Sequence, residues 1–399
     1  MSLLIGICGK TNVGKSTFFA AATLAPVEIG NRPFVTIKPN HGIGYVRVPS
    51  VCSKLGLKCQ PREGFCNGKY RYVPVKLLDV AGLVRDAHKG RGLGNQFLDD
   101  LRRSDVNIVV VDASGGTDDD GNPVPPGTHD PVEDVRIVIE EFTQWLASIL
   151  DRHWDKIAGQ ARIRRLKVED VIYQILAGMN IRKHQILKAL SKVSLSLSSK
   201  PDIKELLMFS KTLLSVSKPV IIAANKMDIP QARKNYKLLV EKLKPLPVIP
   251  VSAEAELILR KASSAGLIEY YPGDSTFKIV ENLKLTSAQK KALSIVKEFL
   301  SIFGSTGVQK CLETAAFDIL RLKAVFPVEN ETKYSDKEGN ILPDVFLLEK
   351  DSTVKDLAMK IHTELGKKAL YGIDAETKMR VGLDEPLKHL QIVKVVSAA

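Results

Sequence analysis

The sequence predicts an α/β fold, in which a doubly wound sheet carries a phosphate-binding loop after its first strand. Two observations predict this fold: six short apolar runs have the length and composition of buried strands, and three of the runs lead directly into glycine-rich or polar motifs. The runs are Leu3–Ile7, Gly44–Val48, Val75–Asp79, Asn107–Asp112, Pro219–Ala224 and Val248–Val251. Because ligands of open parallel sheets bind at the carboxyl ends of the strands, motifs placed there predict one shared site.

The composition is that of a globular protein with two or three domains. The chain of 399 residues is 44% hydrophobic, and no apolar run is long enough to span a bilayer. The N-terminus lacks the features of a signal peptide, so we expect a cytoplasmic location. The net charge of +13 attracts polyanions. Residues 151–215 carry thirteen Lys/Arg against six Asp/Glu, an excess typical either of a solvated helical face or of a nucleic-acid contact.

The first motif is a glycine-rich segment, Gly9 to Ser16, that fits G-x-x-x-x-G-K-[ST]. In such a loop the backbone N–H groups point at phosphate oxygens, and the following helix directs its positive N-terminal end at the same place. We expect Lys15 to reach the β- and γ-phosphates and Ser16 to bind Mg²⁺. A plain turn is the alternative. The predicted nucleotide contacts in this segment are Asn12, Val13, Gly14, Lys15, Ser16 and Thr17.

The second motif, D-x-x-G, follows the third run and begins at Asp79. We expect Asp79 to hold the shell of the Mg²⁺ ion, often through water, and the Gly82 N–H to sense the γ-phosphate. The pattern is weak evidence by itself. Its position after a strand, in a chain that already has a phosphate loop, makes it good evidence.

The third motif, N-K-x-D, follows the fifth run and comprises Asn225, Lys226 and Asp228. The Asp228 carboxylate can accept hydrogen bonds from guanine N1–H and N2–H₂, whereas adenine presents a bare acceptor there. We expect Lys226 to lie along the base and Asn225 to tie its loop to the phosphate loop. After the sixth run comes the segment expected to offer a backbone N–H to guanine O6, namely Ser252, Ala253 and Glu254.

More than a hundred residues separate the fourth and fifth runs, which is too long for a loop. Asp130 and Pro131 predict the start of a helix, with aspartate as the cap and proline in the first helical position. Helical periodicity over Val132–Leu150, Leu166–Met179 and Ile181–Val193 predicts an inserted helical region, which we interpret as a long antiparallel hairpin. After Leu320, alternating strand-like segments surround one capped helical segment.

Three of the five cysteines, Cys52, Cys59 and Cys66, are evenly spaced with six residues between neighbours. A metal or redox cluster is one interpretation, although zinc sites usually contain closer cysteine pairs. The spacing favours the other interpretation, which is free thiols in a surface excursion. An odd number of cysteines also argues against a secreted disulfide framework.

Beyond these motifs, the chain resembles the Obg-like GTPases, and within them the YchF branch. The segment Asn31–Asn40 is similar to the family's first switch, N-Y-P-F-T-T-I-x-P-N, although Arg32 replaces an aromatic residue and Val35 a threonine. Gly90–Leu98 is similar to its glycine-rich second switch. The last eighty or so residues resemble a TGS domain, a small β-grasp module.

The resemblance implies that Thr36 binds Mg²⁺ and the γ-phosphate when GTP is present. The metal set is then Ser16, Thr36 and Asp79. Leu83 stands where Ras-type enzymes have the glutamine that orients the attacking water, and leucine cannot hydrogen-bond a water. We therefore expect slow intrinsic hydrolysis. The residues assigned to catalysis are Lys15, Thr36, Gly82 and, as the nearest titratable group, His88.

The predicted architecture is a P-loop GTPase sheet with an inserted helical hairpin domain and a C-terminal TGS β-grasp domain. We expect the first part of the GTPase domain over residues 1–130, the coiled-coil-like insert over 131–200, the second part with the base-recognition motifs over 201–305, and the TGS domain with its leading helix over 306–399.

The predicted function is that of a Mg²⁺-dependent, GTP-hydrolysing switch, with the ribosome or ribosomal RNA as the partner that the resemblance implies. A K⁺ ion held by Asn12 is a further cofactor hypothesis, because several related GTPases use an asparagine at this position. We expect a monomer with no membrane partner and no DNA specificity. The alternatives are a ribosome- or RNA-binding adaptor with negligible turnover, and an ATP-preferring hydrolase like other YchF relatives.

Overall fold

The computed structural model describes residues 3–23, 41–80, 100, 102–163, 166–193, 195, 200–281 and 285–398. The predicted site residues Thr36, Gly82 and His88 lie outside the described residues, as do Leu83 and both segments that resemble switches.

The central sheet has the strand order β2-β4-β1-β5-β6-β7, with the short strand β3 beside β4. Neighbouring strands from β4 to β7 run parallel, and β2 pairs with β4 in the antiparallel sense. All six predicted runs form strands of this sheet, which confirms the doubly wound α/β fold. The strands are β1 Leu4–Cys8, β2 His41–Pro49, β3 Phe65–Cys66, β4 Tyr70–Asp79, β5 Val106–Asp112, β6 Val220–Asn225 and β7 Val248–Pro250.

The sheet is buried on both faces. Strand β5 is buried at all seven positions, as expected for a central parallel strand rich in β-branched residues. Val109 and Val111 belong to the core that includes the helical region, whereas Ile108 and Val110 belong to a second core. That second core also contains Phe326 from the C-terminal part of the chain, so the sheet and the C-terminal part share buried apolar surface.

The flanking helices of the sheet are α1 Lys15–Thr23, α2 Val51–Lys54, α3 Pro131–Arg152, α7 Ile203–Ser217, α8 Pro230–Lys242, α9 Ala253–Ser264 and α10 Ser287–Phe303. Helix α3 begins as predicted, with Asp130 as its cap and proline in the first position. The Asp130 side chain accepts a hydrogen bond from the Val132 amide at 3.0 Å. Between α9 and α10 a two-stranded ribbon forms from β8 Ile268–Glu269 and β9 Lys278–Ile279.

The inserted region is helical, but the hairpin interpretation is wrong in form. Helix α3 ends at Arg152, and the chain continues as α4 Trp154–Ile163, α5 Val168–Ile175, a single 3₁₀ turn and α6 Lys183–Leu190. The 3₁₀ turn ends at Asn180, whose φ of 50° stops the helix. Trp154, Ile172 and Ile186 are buried in the same core as α3 and α7, so the apolar stripes are satisfied by a group of short helices.

The C-terminal part forms a five-stranded sheet with the order β11-β10-β14-β12-β13. Two helices, α12 Val354–Ile361 and α13 Thr363–Lys368, accompany it, and α11 Val308–Glu313 with a π-helical turn Thr314–Ile319 leads into it. Its strands are β10 Lys323–Val328, β11 Phe346–Leu348, β12 Ala369–Asp374, β13 Arg380–Val381 and β14 Ile392–Ser397. Within the described part of the chain, no helix combines the length and the apolar character that crossing a membrane requires.

Candidate nucleotide-binding site

The predicted motifs lie together at one edge of the central sheet. The glycine-rich loop joins β1 to α1, Asp79 is the last residue of β4, and Asn225 is the last residue of β6. The turn at Ser252 follows β7. These strands are near neighbours and parallel, so their carboxyl ends bring the motifs into one site, as the topology of such sheets requires.

The loop needs its glycines because other atoms approach it closely. Gly14 has a φ of 92°, and a Cβ atom there would lie 2.3 Å from Asn225 Nδ2. Gly9 has a φ of 149°, and a Cβ atom there would lie 2.3 Å from the Val110 carbonyl oxygen. Asn12 also has a positive φ, of 62°, like Gly9 and Gly14. A side chain at Gly9 would collide with the backbone of β5 and displace the loop, whereas one at Gly14 would collide with the Asn225 side chain and break its contact with the loop.

A cation and a carboxylate meet where phosphate and metal are predicted. Lys15 Nζ lies 3.2 Å from Asp79 Oδ1, and both side chains are more than four-fifths buried. Ser16, predicted to bind Mg²⁺, is exposed in the first turn of α1, and Thr17 follows it there. The described residues that are predicted to bind phosphate and metal are therefore adjacent.

Asn225 joins the base-recognition motif to the phosphate loop, which is the contact predicted for it. Its Nδ2 donates to the Val13 carbonyl at 2.9 Å, and its Oδ1 accepts from the Ala253 amide at 3.0 Å. The side chain is buried. One amide group thus holds three segments, the loop, the end of β6 and the start of α9, in a fixed relation.

Asp228 is exposed, and its direction is set by a buried hydroxyl. Ser252 Oγ donates to Asp228 Oδ1 at 2.7 Å, while Ser252 itself is fully buried. The same oxygen accepts from the Ala255 amide at 3.2 Å and so caps α9. The other carboxylate oxygen of Asp228 has no protein partner among the described residues, which leaves it available to a base.

The backbone amides after β7 are not equivalent. The Ser252 amide donates to the Thr306 carbonyl at 3.0 Å, and the Ala253 amide donates to Asn225. Within the described chain, the Glu254 amide has no protein acceptor, as expected for the second residue of a helix. Of the three residues predicted to contact guanine O6, Glu254 therefore has the amide that is free to do so.

Sequence reasoning missed Asp112, which holds Lys226. Lys226 has a φ of 62°, and its Nζ lies 2.8 Å from Asp112 Oδ2 at the end of β5. Burial raises the pKa of Asp112, but hydrogen bonds from Lys226, Ser114 and Thr117 outweigh burial and leave the pKa below its ordinary value. The only sign of this role in the sequence is the position of Asp112 at the end of a buried strand, and no recognisable motif surrounds it.

The excursion between β5 and α3 also holds the phosphate loop, which the sequence did not reveal. Lys10, almost fully buried, donates from Nζ to Asp134 Oδ1 at 2.8 Å and to the Thr117 carbonyl at 3.0 Å. Asn12 Nδ2 donates to the Gly121 carbonyl at 2.8 Å. These contacts span more than a hundred positions in the chain, so no local pattern could have shown them.

Three family models match the chain. Residues 4–146 match the 50S ribosome-binding GTPase model, residues 223–330 match the G4 motif-containing domain of YGR210-like Obg-like GTPases, and residues 335–397 match the TGS domain. A GTP-binding protein of Methanocaldococcus jannaschii is 49% identical over 99% of both chains. The chain belongs to the Obg-like/YchF family of P-loop GTPases. A crystal structure of a GTP-binding protein from Pyrococcus horikoshii OT3 is similar with a TM-score of 0.80 and 39% identity, covering 99% of this chain and 100% of the other.

Other members of the Obg-like/YchF family match less of the chain. Obg-like ATPase 1 of Rattus norvegicus is 32% identical over 69% of this chain and 67% of its own. Ribosome-binding ATPase YchF of Mycoplasma pneumoniae is 34% identical over 56% of each chain. Both names describe ATPases, so family membership alone does not decide the base.

Proposed function

We propose that this member of the Obg-like/YchF family is a Mg²⁺-dependent GTPase that acts as a molecular switch. The observation that carries the proposal is the bond network of Asn225 and Ser252, which fixes the base-recognition carboxylate Asp228 relative to the phosphate loop. A guanine nucleotide suits this arrangement, because its base offers N–H donors to Asp228 and its phosphates can reach the loop.

The proposed preference for GTP over ATP depends on hydrogen-bond direction. Asp228 is an acceptor only, and Ser252 already donates to one of its oxygens. The free oxygen suits the N–H donors of guanine, whereas the N1 lone pair of adenine would face a negative carboxylate. The Glu254 amide complements the guanine O6 acceptor and would oppose the exocyclic amino group of adenine.

For catalysis we assign Lys15 and the loop amides to the charge that develops on the phosphates, and Ser16, Thr36 and Asp79 to Mg²⁺. The metal supplies charge neutralisation between the β- and γ-phosphates when it is bound. Gly82 is assigned to sensing the γ-phosphate and His88 to helping the attacking water, because Leu83 cannot hold it. A His88→Ala variant that hydrolyses GTP at the wild-type rate would remove His88 from the mechanism.

The test of this function measures affinity and phosphate release with GTP and ATP, each with Mg²⁺ or with a chelator of divalent ions. We expect tighter binding of GTP and slow, Mg²⁺-dependent release of phosphate. Comparable affinities for the two nucleotides would contradict the base assignment and favour the ATP-preferring alternative. Tight GTP binding with no phosphate release, with or without ribosomes, would favour the adaptor.

The ribosome is the proposed partner. The Mycoplasma pneumoniae relative is named a ribosome-binding ATPase, and this chain carries a basic excess in its helical region, over residues 151–215. Polyanion binding of this kind falls steeply with salt. We expect co-sedimentation with ribosomes that depends on the nucleotide and decreases with ionic strength. Binding that ignores GTP, GDP and salt would contradict the switch.

A K⁺ requirement is proposed for Asn12. Its Nδ2 is engaged by the Gly121 carbonyl, which directs the side chain and leaves Oδ1 as a possible ligand. We expect faster GTP hydrolysis in KCl than in NaCl at equal ionic strength. Equal rates would dismiss the ion.

We further propose that the domain division follows the predicted boundaries, with the GTPase domain over 1–130 and 201–305, the insert over 131–200 and the TGS domain with its leading helix over 306–399. In this division α3 is the first helix of the insert, although it also packs on β5 of the sheet.

A further inference from the structure

The three evenly spaced cysteines converge in the fold. Their Sγ atoms all lie within 4.8 Å of one another, although the residues come from helix α2, from the loop after it and from strand β3. The thiols are free, as expected, but they are not separate surface groups: Cys52 is buried, and Cys59 and Cys66 are half-buried. The sequence spacing gave no sign of this because the loop folds back between the second and third cysteines.

We propose that Cys52, Cys59 and Cys66 bind one thiophilic metal ion, Zn²⁺ being the first candidate. The geometry fits this ion. Cys52 Sγ and Cys66 Sγ are 3.8 Å apart, and sulfur atoms at 2.3 Å from a tetrahedral zinc are separated by about 3.8 Å. Ser50 Oγ lies 2.8 Å from Cys52 Sγ and 3.2 Å from Cys66 Sγ, which are hydrogen-bond distances to both sulfurs, so a water molecule is the proposed fourth ligand.

A buried cation beside the cluster supports the proposal. Arg71 is 2% exposed, and Nη1 lies 4.0 Å from Cys59 Sγ. Its other hydrogen bonds go to backbone carbonyls, the shortest at 2.7 Å to Pro343. Within the described chain no carboxylate forms an ion pair with it, and Asp344, which pairs with Arg62, acts on it only at longer range. A buried charge requires a counter-charge. Three thiolates on a divalent ion carry one net negative charge, which the guanidinium neutralises.

The turn at Cys66 places hydrogen-bonding groups around its sulfur. Cys66 is paired with Arg71 across the short hairpin of β3 and β4, and Gly68 adopts a φ of 85° in that hairpin. The Ser50 hydroxyl lies 3.2 Å from Cys66 Sγ, and the Gly68 amide is directed at the same sulfur. An amide that donates a hydrogen bond to a cysteine sulfur two residues earlier would stabilise that sulfur as a metal-bound thiolate.

The proposed ion would join the central sheet to the C-terminal part of the chain. The residue after Cys59, Gln60, donates its amide to the Ile341 carbonyl at 2.8 Å, and Arg62 donates its amide to the Pro343 carbonyl at 3.1 Å. A metal bound to Cys59 would hold this segment in place. All three protein ligands and their neighbours lie away from the phosphate loop. The proposed ion therefore has a structural role and takes no part in nucleotide binding.

The test uses the full chain, purified with a reductant. Metal content is measured by elemental mass spectrometry, Zn²⁺ affinity by competition with a chromophoric chelator, and geometry by Co²⁺ substitution. We expect one equivalent of metal and, with Co²⁺, thiolate charge-transfer bands with the intense visible bands of tetrahedral coordination. Cys59→Ser and Cys66→Ser should each weaken Zn²⁺ binding by about tenfold or more. Cys311→Ala, which removes a buried thiol outside the cluster, should leave binding unchanged.

Several results would overturn the proposal. The first is the absence of stoichiometric metal and of a charge-transfer band in the reduced wild-type chain, a result that needs no variant to fold. Uptake that persists in both cysteine variants would place the ion elsewhere. A disulfide between Cys52 and Cys66 in the oxidised chain, without metal binding in the reduced chain, would assign the cluster to thiol chemistry instead.

Discussion

Asp228, the proposed base-recognition residue, shows how a side chain can have a fixed orientation while remaining exposed. Its carboxylate is oriented by the hydroxyl of Ser252, and that hydroxyl is fixed because Ser252 is buried and caps α9. The orientation therefore does not depend on the ligand. A base that arrives meets a preorganised acceptor, and preorganisation reduces the free-energy cost of binding.

The substitution Asp228→Asn should change the preferred base. The amide can donate where the carboxylate accepts, so it opposes the N–H groups of guanine and suits xanthine, which has a carbonyl at position 2. Two charge-assisted hydrogen bonds are lost, so we expect GTP affinity to fall by about a hundredfold or more, while XTP affinity rises. Affinities are measured by fluorescence titration with labelled nucleotides.

Glu241→Gln, which neutralises an exposed carboxylate on helix α8, is the matched control and should bind GTP like the wild type. Unchanged GTP affinity in the Asp228→Asn variant would show that the base lies elsewhere.

At the scale of elements, the end of β5 organises the neighbouring end of β6. Asp112 is 1% exposed and accepts hydrogen bonds from Lys226 at 2.8 Å and from Thr117 at 2.6 Å. The bond to Asp112 holds Lys226 in its left-handed conformation, and the position of the loop after β6 is fixed with it. The base-recognition motif is therefore supported by a strand that contributes no residue to the motif itself.

The substitution Asp112→Asn should destabilise the protein by about 1–3 kcal/mol near pH 7, because a buried hydrogen-bonded charge is removed. The pKa of Asp112 is below its ordinary value in the fold. The carboxylate therefore stabilises the protein above its unfolded-state pKa of about 3.9, and this stabilisation is lost as the pH falls through the lower, folded-state pKa. The difference between variant and wild type should shrink below about pH 4.

Unfolding monitored by tryptophan fluorescence at several pH values measures this difference. Asp151→Asn is the control, because its ion pair with Lys200 is about half exposed and contributes little. A difference that stays constant from pH 7 to pH 3 would contradict the assigned role of the Asp112 charge.

At the scale of elements, the sequence predicted what depends on local pattern. The six strands, the glycine loop and the cap at Asp130 could be identified because periodicity and turn chemistry act over a few residues. The pairs Lys10–Asp134 and Lys226–Asp112 could not, because each joins residues more than a hundred positions apart. The structure has several short helices where the sequence predicted a hairpin, because helical segments with apolar faces of similar length can pack together in more than one arrangement.

At the scale of the whole molecule, polar contacts attach the C-terminal part to the edge of the central sheet. Arg62 pairs with Asp336 at 2.5 Å and with Asp344 at 2.7 Å, and Arg47 pairs with Glu313 at 2.5 Å. Arg62 is half exposed, so each of its pairs contributes less than about 1 kcal/mol. The Arg62 pairs therefore fix the geometry of the attachment but contribute little to its strength, which comes mainly from the shared apolar core.

The substitution Arg62→Glu should loosen this edge without unfolding the chain, because it places a negative charge beside two aspartates. We expect faster hydrogen exchange at the amides of Gln60 and Arg62, which pair with the C-terminal part, and unchanged exchange in β5. Hydrogen exchange with mass spectrometry measures both. Arg136→Glu, on an exposed pair within α3, is the control. Equal protection of residues 60–62 in variant and wild type would contradict the role given to Arg62.

The turn that orients Asp228 also contacts residues 306–307, which lie in the connection between helix α10 and the C-terminal part. The Ser252 amide is held by the carbonyl of Thr306, and at the next residue, Gly307, a Cβ atom would lie only 2.0 Å from the Pro250 carbonyl oxygen. The turn and the segment at residues 306–307 are therefore in direct backbone contact, so neither can move without displacing the other.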